Sequence, residues 1–120
     1  MSIAARVLVT LVALLHLYIL VLEMFLWRTP RARAAFGTTA EFADATITLA
    51  ANQGLYNGFL AAGLAWGLID GGDLGRDVTI YFLCCIGVAG IYGAATANRR
   101  ILFVQAVPAA ITLAAVLTSW

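Results

Sequence analysis

Two ionisable side chains lie inside the first long apolar stretch of the sequence. His16 and Glu23 are seven residues apart. A helix turns by 100° per residue, so the two residues share one face and are separated by about 10 Å along the axis. A histidine can carry a proton because its reference pKa is near neutrality, and a carboxylate can be its acidic partner or a cation's counter-ion. His16 and Glu23 are therefore the predicted catalytic residues.

Carboxamides and phenols elsewhere in the chain are the candidate ligand-binding groups, because their hydrogen bonds can orient a small molecule. They are Asn52, Gln53, Tyr56, Asn57, Tyr92 and Gln105. No metal site is predicted, since His16 and Glu23 are too far apart to share an ion. The sequence leaves the cofactor, if the protein uses one, unknown.

A structural interpretation is open for the same residues. In a membrane, Asn, Gln and His side chains often join helices through hydrogen bonds of about 1 kcal/mol each. Glu23 precedes Trp27 by one turn, so its carboxylate could instead extend to the membrane surface and pair with an arginine. Ligand chemistry and helix packing are therefore competing hypotheses for the polar residues.

The composition indicates which environment holds these residues. Of the 120 residues 63% are hydrophobic and only 11% are charged, whereas soluble domains average about 25% charged residues. This composition excludes a soluble enzyme. All seven cationic residues are arginines and the net charge is only +1, so nucleic-acid binding is excluded as well.

Four apolar stretches are long enough to cross a bilayer as helices. The predicted spans are residues 3–27, 45–69, 78–97 and 101–120, with Asp44 and Asp77 as helix caps. A polar loop with a short interfacial helix is predicted after the first span, and Pro108 is expected to kink the fourth. Because short loops make consecutive helices antiparallel, we predict an all-α, integral membrane, up-down bundle of four transmembrane helices forming one domain over residues 1–120.

The arginines set the expected topology. Arg28, Arg31 and Arg33 follow the first span, and Arg99 and Arg100 follow the third. The opposite side has only two arginines, so the positive-inside rule places the first and third loops in the cytoplasm and both termini outside.

The depths and faces of the polar residues predict a shared cavity. His16 is near the middle of the first span, and Glu23 and most of the carboxamides and phenols lie toward the cytoplasmic end. Polar groups exposed to hydrocarbon are costly, so we expect them to face the bundle interior. The sequence therefore predicts a polar cavity that opens to the cytoplasmic leaflet.

Several motifs point to one family. They are His16-x-Tyr18-Ile19-x-x-Leu22-Glu23-Met24-Phe25-x-Trp27, Asn52-Gln53-Gly54-x-Tyr56-Asn57-Gly58-Phe59-Leu60-Ala61, Ile91-Tyr92-Gly93 with Thr96, and Gln105 with Pro108-Ala109. This pattern resembles the small bacterial membrane proteins called domain of unknown function 1304. The resemblance implies a four-helix protein of the bacterial cytoplasmic membrane without an assigned activity, and it implies that the polar residues coincide with the family pattern.

Three functions remain open from the sequence. The first is a membrane-embedded binding or catalytic site for a small or amphipathic, lipid-like molecule, with His16 and Glu23 at its centre. The second is an oligomeric transporter or channel unit that relays protons or cations. The third is a structural membrane protein with a satisfied polar core. A homo-oligomer is expected because a thin bundle buries little surface, and Gly63 and Gly67 offer a face for close helix contact.

Overall fold

The protein is helical throughout the residues that the structure describes. The computed structural model describes residues 1–119, and none of them lies in a β-strand, which confirms the all-α prediction. In chain order the helices are α1 (Ile3–Met24), α2 (Pro30–Phe36), α3 (Ala40–Ala45), α4 (Ile47–Asp70), α5 (Asp73–Thr96) and α6 (Val107–Thr118), and a π-helical segment at Leu102–Ala106 precedes α6.

Two of the long helices have the length and composition of membrane spans. Among the described residues these are α1 and α5. Helix α4 has 24 residues, but two asparagines and a glutamine in its first half lower its hydropathy. The stretch Leu102–Thr118 is apolar and shorter. The structure thus shows four long helical stretches, two of which meet both criteria for crossing a membrane.

The start of α5 differs from the prediction. The helix begins at Asp73, five residues before the expected start, and Asp77 lies inside it instead of capping it. Gly71 turns the chain with a φ of 69°, and Asp70 Oδ2 accepts a hydrogen bond from the backbone N–H of Gly75 at 2.9 Å. Because Asp70 satisfies an N–H group of the first turn, the helix does not need Asp77 for this purpose.

Two short helices, α2 and α3, form the connection for which a polar loop with one interfacial helix was predicted. Thr29 and Thr39 cap them by accepting hydrogen bonds from Ala32 N and Phe42 N. Gly37, with a φ of 67°, ends α2 in the left-handed conformation that glycine adopts without strain. Asp44 lies inside α3, so the prediction that it caps the following long helix is wrong.

Pro108 is accompanied by a local change of helix type. It stands at the second position of α6, directly after the π-helical segment. Proline lacks the N–H needed for a regular helical hydrogen bond, and a π-type turn is one way to accommodate such a defect. The structure therefore has a widened turn before the proline, and the predicted kink stays a prediction.

The chain divides into two compact units, and α1 and α4 contribute to both. The terminal unit comprises Met1–Ala13 and the chain from Ala62 onward, and the central unit is Leu14–Ala61. In the terminal unit a Cβ at Gly67 would strike Thr79, and one at Gly63 would strike Phe82. Both glycines therefore serve packing inside the chain, and the homo-oligomer expected from the sequence stays a prediction.

Candidate functional site

The carboxylate of Glu23 is buried in the central unit beside a carboxamide of α4. Glu23 is only 8% exposed, and Asn57 Nδ2 donates a hydrogen bond to its Oε1 at 2.6 Å. The same nitrogen donates to the backbone oxygen of Gln53 at 3.1 Å. Because a carboxylate only accepts hydrogen bonds, the Asn57 amide must turn its NH₂ group toward Glu23.

This orientation leaves the other end of the Asn57 amide without a donor. Asn57 Oδ1 is buried and accepts no hydrogen bond from the described residues. A buried polar atom usually has a partner, because leaving it unpaired costs about 1–3 kcal/mol. We call Glu23 and Asn57 together the carboxylate–amide pair.

Two glycines bring α1 and α4 together at this pair. A Cβ at Gly54 would lie 2.5 Å from Met24 Cγ and 3.1 Å from Glu23 Cβ, and one at Gly58 would lie 2.7 Å from Leu20 Cδ1. A larger residue at either position would force the neighbouring side chains to shift. The Gly-x-x-x-Gly spacing of the second motif therefore sets the close approach that lets Asn57 reach Glu23.

His16 lies on the same helix and is completely buried, with 0% of its surface exposed. Its burial agrees with the predicted inward orientation. Seven residues of helix separate its backbone from that of Glu23 by about 10 Å along α1. Direct proton transfer requires heavy atoms about 3 Å apart, so a proton shared by His16 and Glu23 would need an intermediate carrier.

Three of the other predicted ligand-binding residues point outward. Asn52, Gln53 and Tyr56 are exposed on α4, although the sequence predicted that they line an interior cavity. The cause is the helical spacing: Asn57 follows Tyr56 by one residue, so when Asn57 faces α1 its neighbour is rotated away by 100°. Asn57 is the polar residue of the second motif whose side chain contacts Glu23.

The last two predicted residues belong to the terminal unit. Tyr92 of α5 is 70% exposed, and Gln105 is half-buried in the π-helical segment. From the sequence, one cavity lined by residues of all four spans was expected. The predicted residues belong to both units, and the shared cavity and their roles in ligand binding stay predictions.

Trp27 joins the α2–α3 connection to the long helices of the central unit. Its Nε1 donates to Thr46 Oγ1 at 3.1 Å, and its ring lies 5.0 Å from that of Phe36. Ala43 and Ala50 are buried in the same cluster. Trp27 thus packs inside the central unit.

The arginines after α1 have other partners than Glu23. Arg28 pairs with Asp44 at 3.6 Å, and both side chains are about two-thirds exposed. Arg31 donates to the phenol oxygen of Tyr18 at 3.1 Å. With Glu23 buried and bonded to Asn57, these contacts do not support the hypothesis that its carboxylate extends to the surface to pair with an arginine.

A cavity of about 410 Å³ opens at the C-terminal end of α1. Residues 24–29 and Ile47 line it, so both apolar residues and the cationic residue Arg28 contribute to its wall. It lies in the central unit, next in sequence to Glu23. We call it the α1-end cavity.

Comparison with known sequences supports the resemblance to domain of unknown function 1304. Residues 10–117 match a family described as "Protein of unknown function (DUF1304)". The chain belongs to the DUF1304 family. It is also similar to the "Uncharacterized protein YpaA" of Lactococcus lactis subsp. lactis (strain IL1403), with 32% identity over 107 residues that cover 88% of this chain and 89% of that protein. No solved structure matches.

The match to DUF1304 covers both functional features of the central unit. The carboxylate–amide pair and the α1-end cavity fall within residues 10–117. Within residues 1–119 of this DUF1304 chain, no three His, Cys, Asp or Glu side chains form a group that could hold a metal ion.

The α1-end cavity of this DUF1304 chain was not predicted from its sequence. A signal for the local fold was present, because Thr29-Pro30 is a typical helix start, with a capping residue followed by proline at the first helical position. This pattern predicts a helix directly after Arg28. It does not predict that the returning chain brings Ile47 to the cavity wall.

Proposed function

We propose that this protein crosses the membrane with four helices and that the carboxylate–amide pair of its central unit binds a small or amphipathic molecule. The spans would be α1, α4, α5 and the stretch Leu102–Thr118. The observation that carries the binding proposal is the 2.6 Å hydrogen bond from Asn57 to buried Glu23, beside the buried Asn57 oxygen without a donor.

The membrane placement is supported by the exposed surface of the helices. Leu11 and Leu17 of α1 and Val88 and Ile91 of α5 are each about half exposed or more. Large apolar side chains exposed in this number are unfavourable in water and favourable in hydrocarbon. The length and composition of α1 and α5 point the same way.

The proposed location is the bacterial cytoplasmic membrane, with both termini outside. It rests on the arginines, because five of the seven follow α1 or α5. The orientation can be tested with reporter proteins fused after Trp120, a residue that lies outside the described residues. Alkaline phosphatase joined after it should be active and green fluorescent protein should be dark. The reverse result would overturn the orientation.

The pair favours a ligand that carries a hydrogen-bond donor. Glu23 offers carboxylate oxygens and Asn57 offers Oδ1, and all of these are acceptors. An ammonium or hydroxyl group could donate to both residues, and an apolar tail would suit the surrounding helices. The pair would bind the ligand through these hydrogen bonds. His16 lies about 10 Å from Glu23 along the helix axis, so it would act as a proton carrier only through an intermediate.

Two amphiphiles of equal chain length and charge test the proposal. Dodecylammonium has N–H donors and dodecyltrimethylammonium has none. We expect the first to raise the unfolding temperature of the purified protein in detergent and the second to raise it several-fold less. Glu23→Gln should abolish the difference.

The matched control is Glu41→Gln, because Glu41 is the chain's other glutamate and lies exposed on α3. It should respond like the unchanged protein. Equal effects of both amphiphiles, or equal loss in both variants, would refute the binding site. A Glu23→Gln variant altered only in its unfolding temperature would indicate a structural pair.

A homo-oligomeric proton or cation transporter is the second candidate, favoured by the exposure of Asn52 and Tyr56 on α4. Polar side chains facing hydrocarbon are costly, and in a two-fold membrane dimer each would meet its own copy at equal depth. A pH-sensitive dye in proteoliposomes should report flux that Asn52→Leu abolishes. A monomeric mass in nanodiscs would remove this candidate.

A further inference from the structure

The α1-end cavity is lined by apolar residues and by one cationic residue, Arg28. Phe25 and Ile47 in its wall are exposed to 71% and 39%. Arg28 stands next to them and is itself 63% exposed. An apolar surface that continues into a guanidinium suits a ligand with an acyl chain and an acidic head.

The arginines near the cavity are concentrated in one stretch of the chain. Residues 24–39 contain three arginines and no acidic residue, and Glu23, Glu41 and Asp44 lie just outside this stretch. Arg33 Nε is buried and donates to no described residue. Basic residues immediately beyond a membrane-crossing helix attract anionic lipid headgroups. The charge of this segment therefore matches the acidic head of such a ligand.

The contact of Arg28 with the carboxylate of Asp44 is weak. Asp44 Oδ1 lies 3.6 Å from the guanidinium, and both side chains are well exposed. Exposed ion pairs of this length contribute little. A phosphate could therefore replace Asp44 as the partner of Arg28, with two N–H groups donating to its oxygens.

We infer that the α1-end cavity binds an anionic membrane phospholipid, with its phosphate at Arg28 and its acyl chain along Phe25 and Ile47. This inference rests on the proposed membrane placement. A free phosphate would leave Phe25 and Ile47 uncovered, whereas a lipid covers them and reaches Arg28 from the bilayer surface. Asp44 then competes with the lipid for the guanidinium.

Because Asp44 competes with the lipid for Arg28, substitutions of these two residues should change lipid retention in opposite directions. The protein is placed in detergent with equal amounts of phosphatidylglycerol and phosphatidylcholine, and native mass spectrometry measures the retained lipids. The unchanged protein should retain phosphatidylglycerol preferentially. Arg28→Gln should weaken its retention by about tenfold, the loss expected for a charge-assisted hydrogen bond. Asp44→Asn should strengthen it by about two-fold to three-fold, since it removes the weak competing pair.

Arg99→Gln is the control, because it makes the same change in charge in the loop after α5. It should retain the lipid like the unchanged protein. Equal losses in Arg28→Gln and Arg99→Gln, a loss in Asp44→Asn, or no preference between the two lipids would each overturn the inference. If Arg28→Gln does not fold, Asp44→Asn still decides by the direction of its effect.

Two further measurements distinguish a bound lipid from a soluble phosphate and test the membrane placement. Glycerol 3-phosphate at millimolar concentration should not displace the bound lipid, and displacement would show that a soluble phosphate suffices and overturn the choice of a lipid. Recovery of the protein from cells without detergent would refute the membrane placement itself. If the protein instead requires detergent but shows no preference between the two lipids, only the lipid site is refuted.

Discussion

The central and terminal units solve the problem of helix contact in the same way but bury different groups. In both, glycines let two helices approach: Gly54 meets Met24 in the central unit, and Gly67 meets Thr79 in the terminal unit. The central unit then encloses a carboxylate and a carboxamide. The terminal unit encloses Leu64, Leu83 and Ile86 together with two neutral hydroxyl residues, Thr79 and Thr112.

This difference indicates which buried groups are candidates for binding a ligand. The buried polar residues of the terminal unit, Thr79 and Thr112, carry neutral hydroxyls, and Thr79 satisfies its own by donating to the backbone oxygen of Gly75 at 2.8 Å. The central unit instead buries the ionisable side chain of Glu23. Buried polar groups at a membrane-spanning position are costly and are typical of functional sites. This contrast is the reason why we propose the binding site in the central unit.

The largest expected effect concerns the glycine contacts of the terminal unit. Gly67→Ala should destabilise the protein by about 2–3 kcal/mol, because the new methyl group would strike Thr79 and approach the backbone oxygen of Gly75 to 2.9 Å. Denaturant unfolding in detergent, followed by circular dichroism, measures the change.

Gly87→Ala is the matched control, since nothing lies within 4 Å of a Cβ at that position. It should stabilise α5 by up to about 1 kcal/mol, because alanine favours a helix more than glycine does. Two alanine variants with equal stability would contradict the assignment of Gly67 to a tight contact.

The next effect tests whether the polar pair of the central unit serves stability. Asn57→Leu should cost about 1–3 kcal/mol, because it leaves the buried Glu23 without its donor. The double variant Glu23→Leu with Asn57→Leu should recover most of this loss, since an apolar contact replaces the pair. A double-mutant cycle of unfolding free energies measures the coupling, and strictly additive costs would show that the two residues do not interact.

Several features of both units could be predicted from the sequence, because they follow from helical periodicity and from composition. Helical class follows from the apolar runs, and the burial of His16 and Glu23 follows from their shared helix face. The spacing of Gly54 and Gly58 indicates a close helix contact. These features depend on period and composition, which a sequence displays directly.

The remainder depended on rotations and contacts that the sequence does not fix. Asn57 and Tyr56 are adjacent, and only the packing of α4 against α1 decides which one is buried. The start of α5 was predicted too late because Asp77 is a plausible cap by residue type, whereas in the structure Gly71 turns the chain and the helix already begins at Asp73. The contact of Trp27 with Thr46 requires the folded α2–α3 connection.

A smaller effect concerns that connection. Thr46→Val should destabilise the central unit by about 1–2 kcal/mol, because it removes both the acceptor of Trp27 Nε1 and the hydroxyl that donates to the backbone oxygen of Phe42 at 2.6 Å. Trp27→Phe removes the donor and should cost more, since part of the ring that packs near Phe36 is lost too. The blue shift of tryptophan emission in Thr46→Val is the readout, and an unchanged spectrum and stability would show that the bond is not formed.

The smallest expected effect is that of the ion pair at the surface of the central unit. Asp44→Asn should change the unfolding free energy in neutral detergent by less than about 0.5 kcal/mol, because Arg28 and Asp44 are exposed and 3.6 Å apart. Raising the salt concentration should erase even this change. The same variant is expected to bind phosphatidylglycerol more strongly, so its effect on lipid retention should exceed its effect on stability. A large loss of stability would instead mean that the pair holds α3 in place, and the guanidinium would then be committed to Asp44 and unable to receive a phosphate.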